Sequence, residues 1–289
     1  MKTIFEALHW ASSYLAEAGR DRNAAEILLM NQLKIERSKL LASFHDPMSD
    51  TDFQAFKNSV ERHHSGVPVQ YITGKEWFYG REFSVNEHVL IPRPETEEVV
   101  ETVLVMANDV FPGKNSLEAV DVGTGSGAIA VTLALESERF SVTATDISEQ
   151  ALKTAANNAD RLGAKVDFIS GDLLKPLIAQ NKKADVIVSN PPYISEEEMR
   201  TLSEVVRLNE PVGALTDGAD GLRFYHRFMK ELPEVMADKA LIVFEIGWSQ
   251  GNAVRDMFHQ FFPQAEVQVK KDLNGKDRIV SAVVEYGGR

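Results

Sequence analysis

Over the first 65 residues the apolar positions recur at helical spacing, and the alternation that marks a strand is almost absent. Ile4, Phe5, Leu8, Tyr14 and Leu15 suit one amphipathic helix, and Ala25, Ile27, Leu28, Leu29 and Leu33 suit a second. Gly19 supplies a stop after the first of these. Ser49 and Asp50 can cap a later helix that carries Phe53, Phe56 and Val60. Residues 1–65 are therefore expected to form a small helical bundle domain.

From Val67 the texture changes. Tyr71-Ile72-Thr73-Gly74 and Phe83-Ser84-Val85 are β-rich, and between them stand Trp77, Phe78, Tyr79 and Gly80, the pattern of a hairpin. Residues 66–92 read as a β-hairpin linker whose aromatics pack between domains. Ile91-Pro92-Arg93-Pro94-Glu95-Thr96-Glu97-Glu98 then opens a helix that should run to about Asn108, with proline allowed in its first turn and acids favoured at its positive end. Beyond Leu117 strands alternate with helices. Strands are expected at 117–122, 140–145, 165–169, 184–189, 240–246, 265–269 and 278–286, and helices at 127–136, 148–162 and 251–261. This alternation predicts an α/β domain over residues 93–289, a parallel sheet with helices on both faces.

Composition narrows the chemistry. The chain has 289 residues, 44% hydrophobic and 26% charged, a globular balance with room for two domains. It contains no cysteine, which excludes disulfides, thiolate-bound metals and thiol nucleophiles. His63 and His64 have no acidic cluster beside them that would make a metal site. Glu196-Glu197-Glu198 reads as a solvated helix start. Glu6 and His9 interrupt the N-terminal segment before a signal-peptide core can form, and no apolar run approaches the ~18 residues of a membrane span. A cytoplasmic protein with no membrane association is expected. A formal net charge of −12 argues against the basic surface of a duplex-DNA binder. It suits a basic protein partner, or solubility alone.

Two segments carry the candidate chemistry. Asp121-Val122-Gly123-Thr124-Gly125-Ser126-Gly127 follows an apolar strand and precedes a helix, so the backbone can turn tightly and admit a nucleotide-type ligand. Taken alone the pattern fits NAD-binding folds equally, or a tight turn without a ligand. Asp146 ends the next strand, where an acid accepts ribose hydroxyls or caps the following helix. Asp172 ends the third strand, with the adenine edge or a helix cap as its two readings.

Asn190-Pro191-Pro192-Tyr193 closes the apolar run 184–189 and separates these readings. Two prolines in succession lack N–H donors and fix the backbone, so an amide side chain and free carbonyls are held in a set loop. The Asn190 oxygen and the Pro191 carbonyl can accept two N–H bonds from an amide or exocyclic amine, and Tyr193 can stack on its plane. That arrangement aims a delocalised lone pair at an electrophilic methyl and stabilises the charge that develops on nitrogen.

The order of glycine turn, strand-terminal Asp146 and Asn190-Pro191-Pro192-Tyr193 resembles the class I S-adenosylmethionine-dependent methyltransferases, whose domain is Rossmann-like. Residues 89–97, Asp121 to Gly127, Asn190 to Tyr193, Glu210-Pro211-Val212-Gly213-Ala214-Leu215 and Asp220-Gly221-Leu222 resemble more specifically the PrmC/HemK family. Those enzymes are N5-glutamine methyltransferases of peptide chain release factors. The resemblance implies S-adenosyl-L-methionine as cofactor and, as substrate, the glutamine of the Gly-Gly-Gln motif in class I release factors. Gly123, Thr124, Gly125, Ser126 and Gly127 would line the methionine part, Asp146 the ribose, and Asp172 with Leu173 the adenine side. Asn190, at the cofactor's edge, would hold the glutamine with Pro191, Pro192 and Tyr193. Some relatives carry an aromatic residue where Leu173 stands. The N-terminal helices would dock the protein substrate, and a monomer without direct nucleic-acid binding is expected. A glutamine methyltransferase of a ribosomal protein and an adenine-N6 nucleic-acid methyltransferase share this logic, whereas a non-catalytic module would be expected to lack the Asn190–Tyr193 segment.

Overall fold

A computed structural model describes residues 2–285. It begins with α1 (Ile4–Glu17), α2 (Asn23–Leu33), α3 (Arg37–Ala42), α4 (Asp50–His64) and the short α5 (Val69–Thr73). Thr3 starts α1 through a capping box with Glu6, and the Ser49 hydroxyl caps α4 by accepting from the Asp52 N–H. Gly19, at φ 69°, follows the C-cap of α1. The inner face of α1 is Ile4, Ala7, Ala11 and Leu15. Phe5 and Ile27, expected inside, are each 49% exposed, because the alanines of α1 and α2 take the buried stripe.

The hairpin is shifted from its expected position. Tyr71-Ile72-Thr73 belong to α5, ended by Gly74 in the left-handed region (φ 75°). The paired strands are β1 (Lys75–Phe78) and β2 (Arg81–Ser84). Trp77 and Phe78 therefore lie in a strand, and the turn is Tyr79-Gly80, both at positive φ (50° and 72°) as a two-residue hairpin turn requires. Phe78 and Phe83 are buried edge to face, with ring centroids 6.0 Å apart, while Trp77 is exposed.

Next come α6 (Pro94–Val110), β3 (Leu117–Val122), α7 (Ala128–Glu136), β4 (Phe140–Asp146), α8 (Glu149–Leu162), β5 (Val166–Ser170), α9 (Lys175–Ala179) and β6 (Ala184–Ser189). Three short helices follow, α10 (Glu196–Met199), α11 (Glu204–Asn209) and α12 (Val212–Leu215). The chain closes with α13 (Arg223–Val235), β7 (Met236–Glu245), α14 (Gly251–Phe261), β8 (Glu266–Lys271) and β9 (Asp277–Glu285). The strand was expected to reach Tyr286, which lies outside the described residues. The chain divides into two compact units, Met1–Lys75 with Ser203–Asn209, and Glu76–Leu202 with Glu210–Arg289.

The second unit holds a seven-stranded sheet in the order β5-β4-β3-β6-β7-β9-β8. Strands β3 to β7 pair in parallel, and β9 runs antiparallel to both its neighbours. The sheet is thus mixed rather than wholly parallel: the short connection after β8 permits only an antiparallel return, since a parallel one needs a long crossover. Side chains alternate between two cores. Ala119, Val186 and Val188 meet Val99, Val103, Ile129 and Val131 on one face. Val120, Val122 and Ile187 meet Leu177, Phe228 and Val254 on the other. Burial on both faces explains why the central strands read as continuous apolar runs.

Candidate active site

In this strand order the chain goes outward from β3 to β4 and β5, then returns to β6 beside β3 and proceeds the other way. The connections leaving the carboxyl ends of β3 and β6 therefore run to opposite sides and leave a crevice, the place where open α/β sheets bind ligands. The Ser189 hydroxyl donates to the Val122 carbonyl at 2.6 Å and pins the two strand ends together. A cavity of about 470 Å³ opens there, within the range of small-molecule sites. Its walls include Gly123, Thr124, Gly125, Ser126, Asp146, Asp172, Leu173, Asn190 and Pro192.

The glycine turn is built for a ligand on one side and for packing on the other. Cβ atoms added to Gly123 or Gly125 would meet nothing within 4 Å, so both face the open cavity. Gly127, at φ 82°, is the N-cap of α7, and its Cβ would lie 3.0 Å from that of Ala155. It seats α7 against α8 and does not line the cavity.

Asp146 holds the turn in place. Its Oδ2 accepts from the Gly125 N–H at 2.9 Å and its Oδ1 from the Ser148 N–H at 2.8 Å. The cap of α8 is Ser148, whose hydroxyl accepts from the Ala151 N–H, so Asp146 is not the helix cap. Burial raises its pKa above the ordinary value against these hydrogen bonds.

Asp121, which heads the glycine turn and is buried beneath it, is a supporting acid that sequence reasoning did not single out. Its Oδ2 accepts from the Thr124 hydroxyl at 2.6 Å and from the Ala130 N–H at 3.2 Å. Its Oδ1 is buried without a hydrogen-bond partner. Burial pushes this carboxyl up to about 7.

Asp172 is likewise not a helix cap: Leu174 holds that position for α9. Its Oδ2 instead receives Lys175 Nζ and Arg227 Nη2, each at 2.7 Å, and the two cations hold its pKa below the ordinary value despite partial burial. Leu173 adopts φ 52°, which turns the chain at the cavity wall, and its carbonyl accepts from the Thr145 hydroxyl.

At the opposite wall Asn190 Nδ2 donates to Thr96 Oγ1 at 3.2 Å. Thr96 in turn donates to Glu245 Oε2 at 2.6 Å, and the Tyr193 hydroxyl donates to Glu245 Oε1 at 3.3 Å. Burial pushes Glu245 up to about 7 and Tyr193 well above a free phenol. Pro191 is buried and Tyr193 half-buried, its ring packed against the α13–α14 core. Their side chains back the wall and do not line it, so the structure does not put the Tyr193 ring where stacking on a substrate would need it. Thr96 was visible only as part of a motif, and Glu245 only as an unremarked position within the strand expected at 240–246.

The donor set suits S-adenosylmethionine. Two glycines present bare backbone to the cavity, and the strand-terminal Asp146 carboxylate lines it, an acceptor of the kind ribose hydroxyls use.

Comparison with known proteins agrees. Residues 6–74 match the PrmC N-terminal domain and residues 102–218 the methyltransferase small domain. The chain is 63% identical over 284 residues to the release factor glutamine methyltransferase of Bacillus subtilis, covering 98% of this chain and 99% of the relative. The chain belongs to the release factor glutamine methyltransferase family. The Bacillus cereus member is 50% identical over 282 residues, with 98% and 99% covered. A solved methyltransferase from Pyrococcus furiosus, 17% identical, shares the fold at a TM-score of 0.53 over 79% of this chain and 98% of that one. The protein is thus an S-adenosylmethionine-dependent methyltransferase.

The remaining family motifs brace the site. Arg93 pairs with Glu210 at 2.5 Å, joining the segment before α6 to the one before α12. Asp217 accepts from the N–H groups of Ala219, Gly221 and Arg223, which folds a tight loop against Tyr193. Gln250 Nε2 donates to the carbonyls of Tyr193 and Gly221 at 2.9 and 3.1 Å. His63 is buried with Nδ1 against the Val67 carbonyl, and no acid, cysteine or histidine cluster suited to a metal occurs among the described residues.

Proposed function

We propose that the protein transfers a methyl group from S-adenosyl-L-methionine to the side-chain amide nitrogen (N5) of the glutamine in the Gly-Gly-Gln motif of class I peptide chain release factors. One observation carries the reading: Asn190 commits its NH2 to Thr96 and so leaves its oxygen for a substrate N–H, in the same cavity that holds the glycine turn and Asp146. A carboxamide acceptor offers two N–H donors. The Asn190 oxygen takes one. The Pro191 carbonyl, set in the chain between Asn190 and Pro192, which both line the cavity, accepts no hydrogen bond among the described residues and takes the other.

When bound, S-adenosylmethionine supplies an electrophilic methyl group. The chain supplies placement and electrostatics. The glycine turn and Thr124 receive the methionine moiety, Asp146 the ribose, and Asp172 with Leu173 the adenine side. Two fixed acceptors at the substrate nitrogen orient its lone pair and stabilise the positive charge that grows there, worth more in a buried site than in water. Residues 1–65 serve as the docking domain, 66–92 as a hairpin linker and 93–289 as the catalytic domain. A net charge of −12 suits a basic protein surface better than a nucleic acid. No helix of the described residues is long and apolar enough to cross a membrane, and a cytosolic monomer is the form in which we place the activity.

The test is incubation with S-adenosylmethionine and a purified release factor, followed by peptide mass spectrometry across the Gly-Gly-Gln loop. A single added methyl on that glutamine, lost when it is substituted, is the expected result. An unmodified loop together with a methylated ribosomal protein or adenine would overturn the substrate assignment.

A further inference from the structure

We propose that Thr96 and Glu245 are positioning residues: a one-way hydrogen-bond relay through them keeps the Asn190 carboxamide turned with its oxygen, and not its NH2, toward the substrate. The inference rests on the reading of Asn190 as the group that receives the glutamine amide, and adds what fixes its orientation.

Three elements converge to build the relay. Thr96 stands in the first turn of α6, Asn190 follows β6, and Glu245 is the last residue of β7. Ser189 pairs with Phe244 in the parallel β6–β7 register, so Asn190 and Glu245 leave the sheet side by side. Thr96 and Glu245 are buried, at 5% and 1% exposure, so the bond between them is largely shielded from solvent although Thr96 reaches the cavity wall.

A threonine hydroxyl has a single hydrogen. At 2.6 Å from a carboxylate oxygen the Thr96 hydroxyl makes a short, charge-assisted bond, which commits that hydrogen to Glu245. Toward Asn190 it can then offer only lone pairs, and the partner 3.2 Å away must be the NH2 end of the carboxamide. The oxygen is left pointing the other way. Without the relay the two ends of an asparagine amide are nearly isosteric, and the flipped form would set a donor against the substrate's own N–H groups.

The carboxylate that gives the relay its direction is firmly held. The Tyr225 hydroxyl donates to the Glu245 carbonyl at 2.8 Å. Phe244 beside it packs against Phe228 and Phe258 at centroid distances of 4.7 and 5.8 Å. Tyr193 donates to the other carboxylate oxygen and is itself approached by Arg278, which Asp272 holds.

Protonation would reverse the direction. A proton on Glu245 Oε2 makes that oxygen a donor to Thr96, frees the Thr96 hydrogen for Asn190, and turns the carboxamide over. Arg278 on β9 favours the carboxylate. Burial, with Glu95 on α6 nearby, opposes it, and the carboxyl sits at about 7. Loss of turnover below neutral pH is the expected signature.

The experiment measures kcat of the full chain with a release factor, both substrates saturating, across the pH range that brackets neutrality. Thr96→Val, Thr96→Ser, Glu245→Gln and Asn190→Ala are compared, with cofactor affinity measured by calorimetry. Thr96→Val should lose on the order of tenfold to a hundredfold in kcat, the scale of a misplaced reacting group, with cofactor affinity unchanged. Thr96→Ser, which keeps the hydroxyl, should recover most of the loss. Glu245→Gln can still accept from Thr96 and should lack the acid-side fall of the wild type. Near-normal kcat in Thr96→Val beside an inactive Asn190→Ala would overturn the relay and spare the reading of Asn190. An equal loss in Thr96→Ser, or an unchanged acid limb in Glu245→Gln, would also overturn it. Normal turnover in Asn190→Ala would remove both.

Discussion

Arg93 Nη2 lies 2.5 Å from Glu210 Oε1, across 117 residues of sequence, and the Glu210 side chain is only 1% exposed. The pair fastens the segment that opens α6 to the loop that leads into α12, and Arg93, Pro211, Gly213 and Ala214 all face the cavity. Among the described residues Glu210 has one further partner, the Ile91 N–H at 3.5 Å.

Removing Arg93 strands a buried carboxylate, and the cost of breaking such a pair exceeds the cost of replacing both members. Arg93→Ala should lower unfolding free energy in urea by roughly 3 kcal/mol. The double variant Arg93→Met, Glu210→Leu should be more stable than that single variant. Strict additivity of the separate substitutions would mean that the pair contributes no coupling.

Asp146 is both a candidate cofactor ligand and the anchor of the glycine turn. Asp146→Ala removes the acceptor for the Gly125 N–H and should weaken cofactor binding by on the order of 2 kcal/mol, as for loss of a hydrogen bond to a charged group. Titration calorimetry reads this directly, and unchanged affinity would take Asp146 out of the site.

Gly221 sits at φ 82° with no room for a side chain. An added Cβ would fall 2.3 Å from the Tyr193 carbonyl oxygen and 2.7 Å from Gln250 Nε2. Gly221→Ala should therefore displace the Asn190–Tyr193 loop and depress kcat far more than it changes cofactor affinity. A variant with wild-type kcat would show that this loop tolerates movement.

The central strands and the site segments were legible in sequence because each is specified locally. A strand buried on both faces reads as an apolar run, and the glycine turn and the paired prolines each impose their own backbone. The turn of β9 against its neighbours was not legible, because alternation of strands and helices does not report the direction of the last hairpin. Tyr71-Ile72-Thr73 misled for a related reason: its strand propensity is overridden by Pro68 and Gly74, which bound a single helical turn. Thr96 and Glu245 lie 149 residues apart, and only the placement of β7 beside β6 brings them to Asn190. The family resemblance named the motifs that hold Arg93, Glu210 and Gly221; it took the fold to show what each one touches.

Asp121 offers a pH test that needs no substrate. Its carboxyl is pushed up to about 7 in the folded protein, from an ordinary value of 3.8. Between those values the folded state binds the extra proton, so this contribution to stability is fully present below the unfolded pKa and is lost as pH rises through about 7. Asp121→Asn resembles the protonated form at every pH and is spared that loss. The difference in stability, variant minus wild type, should therefore grow more positive from about pH 5 to pH 8, by at most about 4 kcal/mol, since each tenfold change in proton affinity is worth about 1.4 kcal/mol. Carboxylates with lowered pKa values, such as Asp52, oppose the trend in each protein but cancel in the comparison. Urea unfolding at several pH values measures the difference. Parallel curves for the two proteins would show that Asp121 titrates normally and that burial at the head of the glycine turn is compensated in the folded chain.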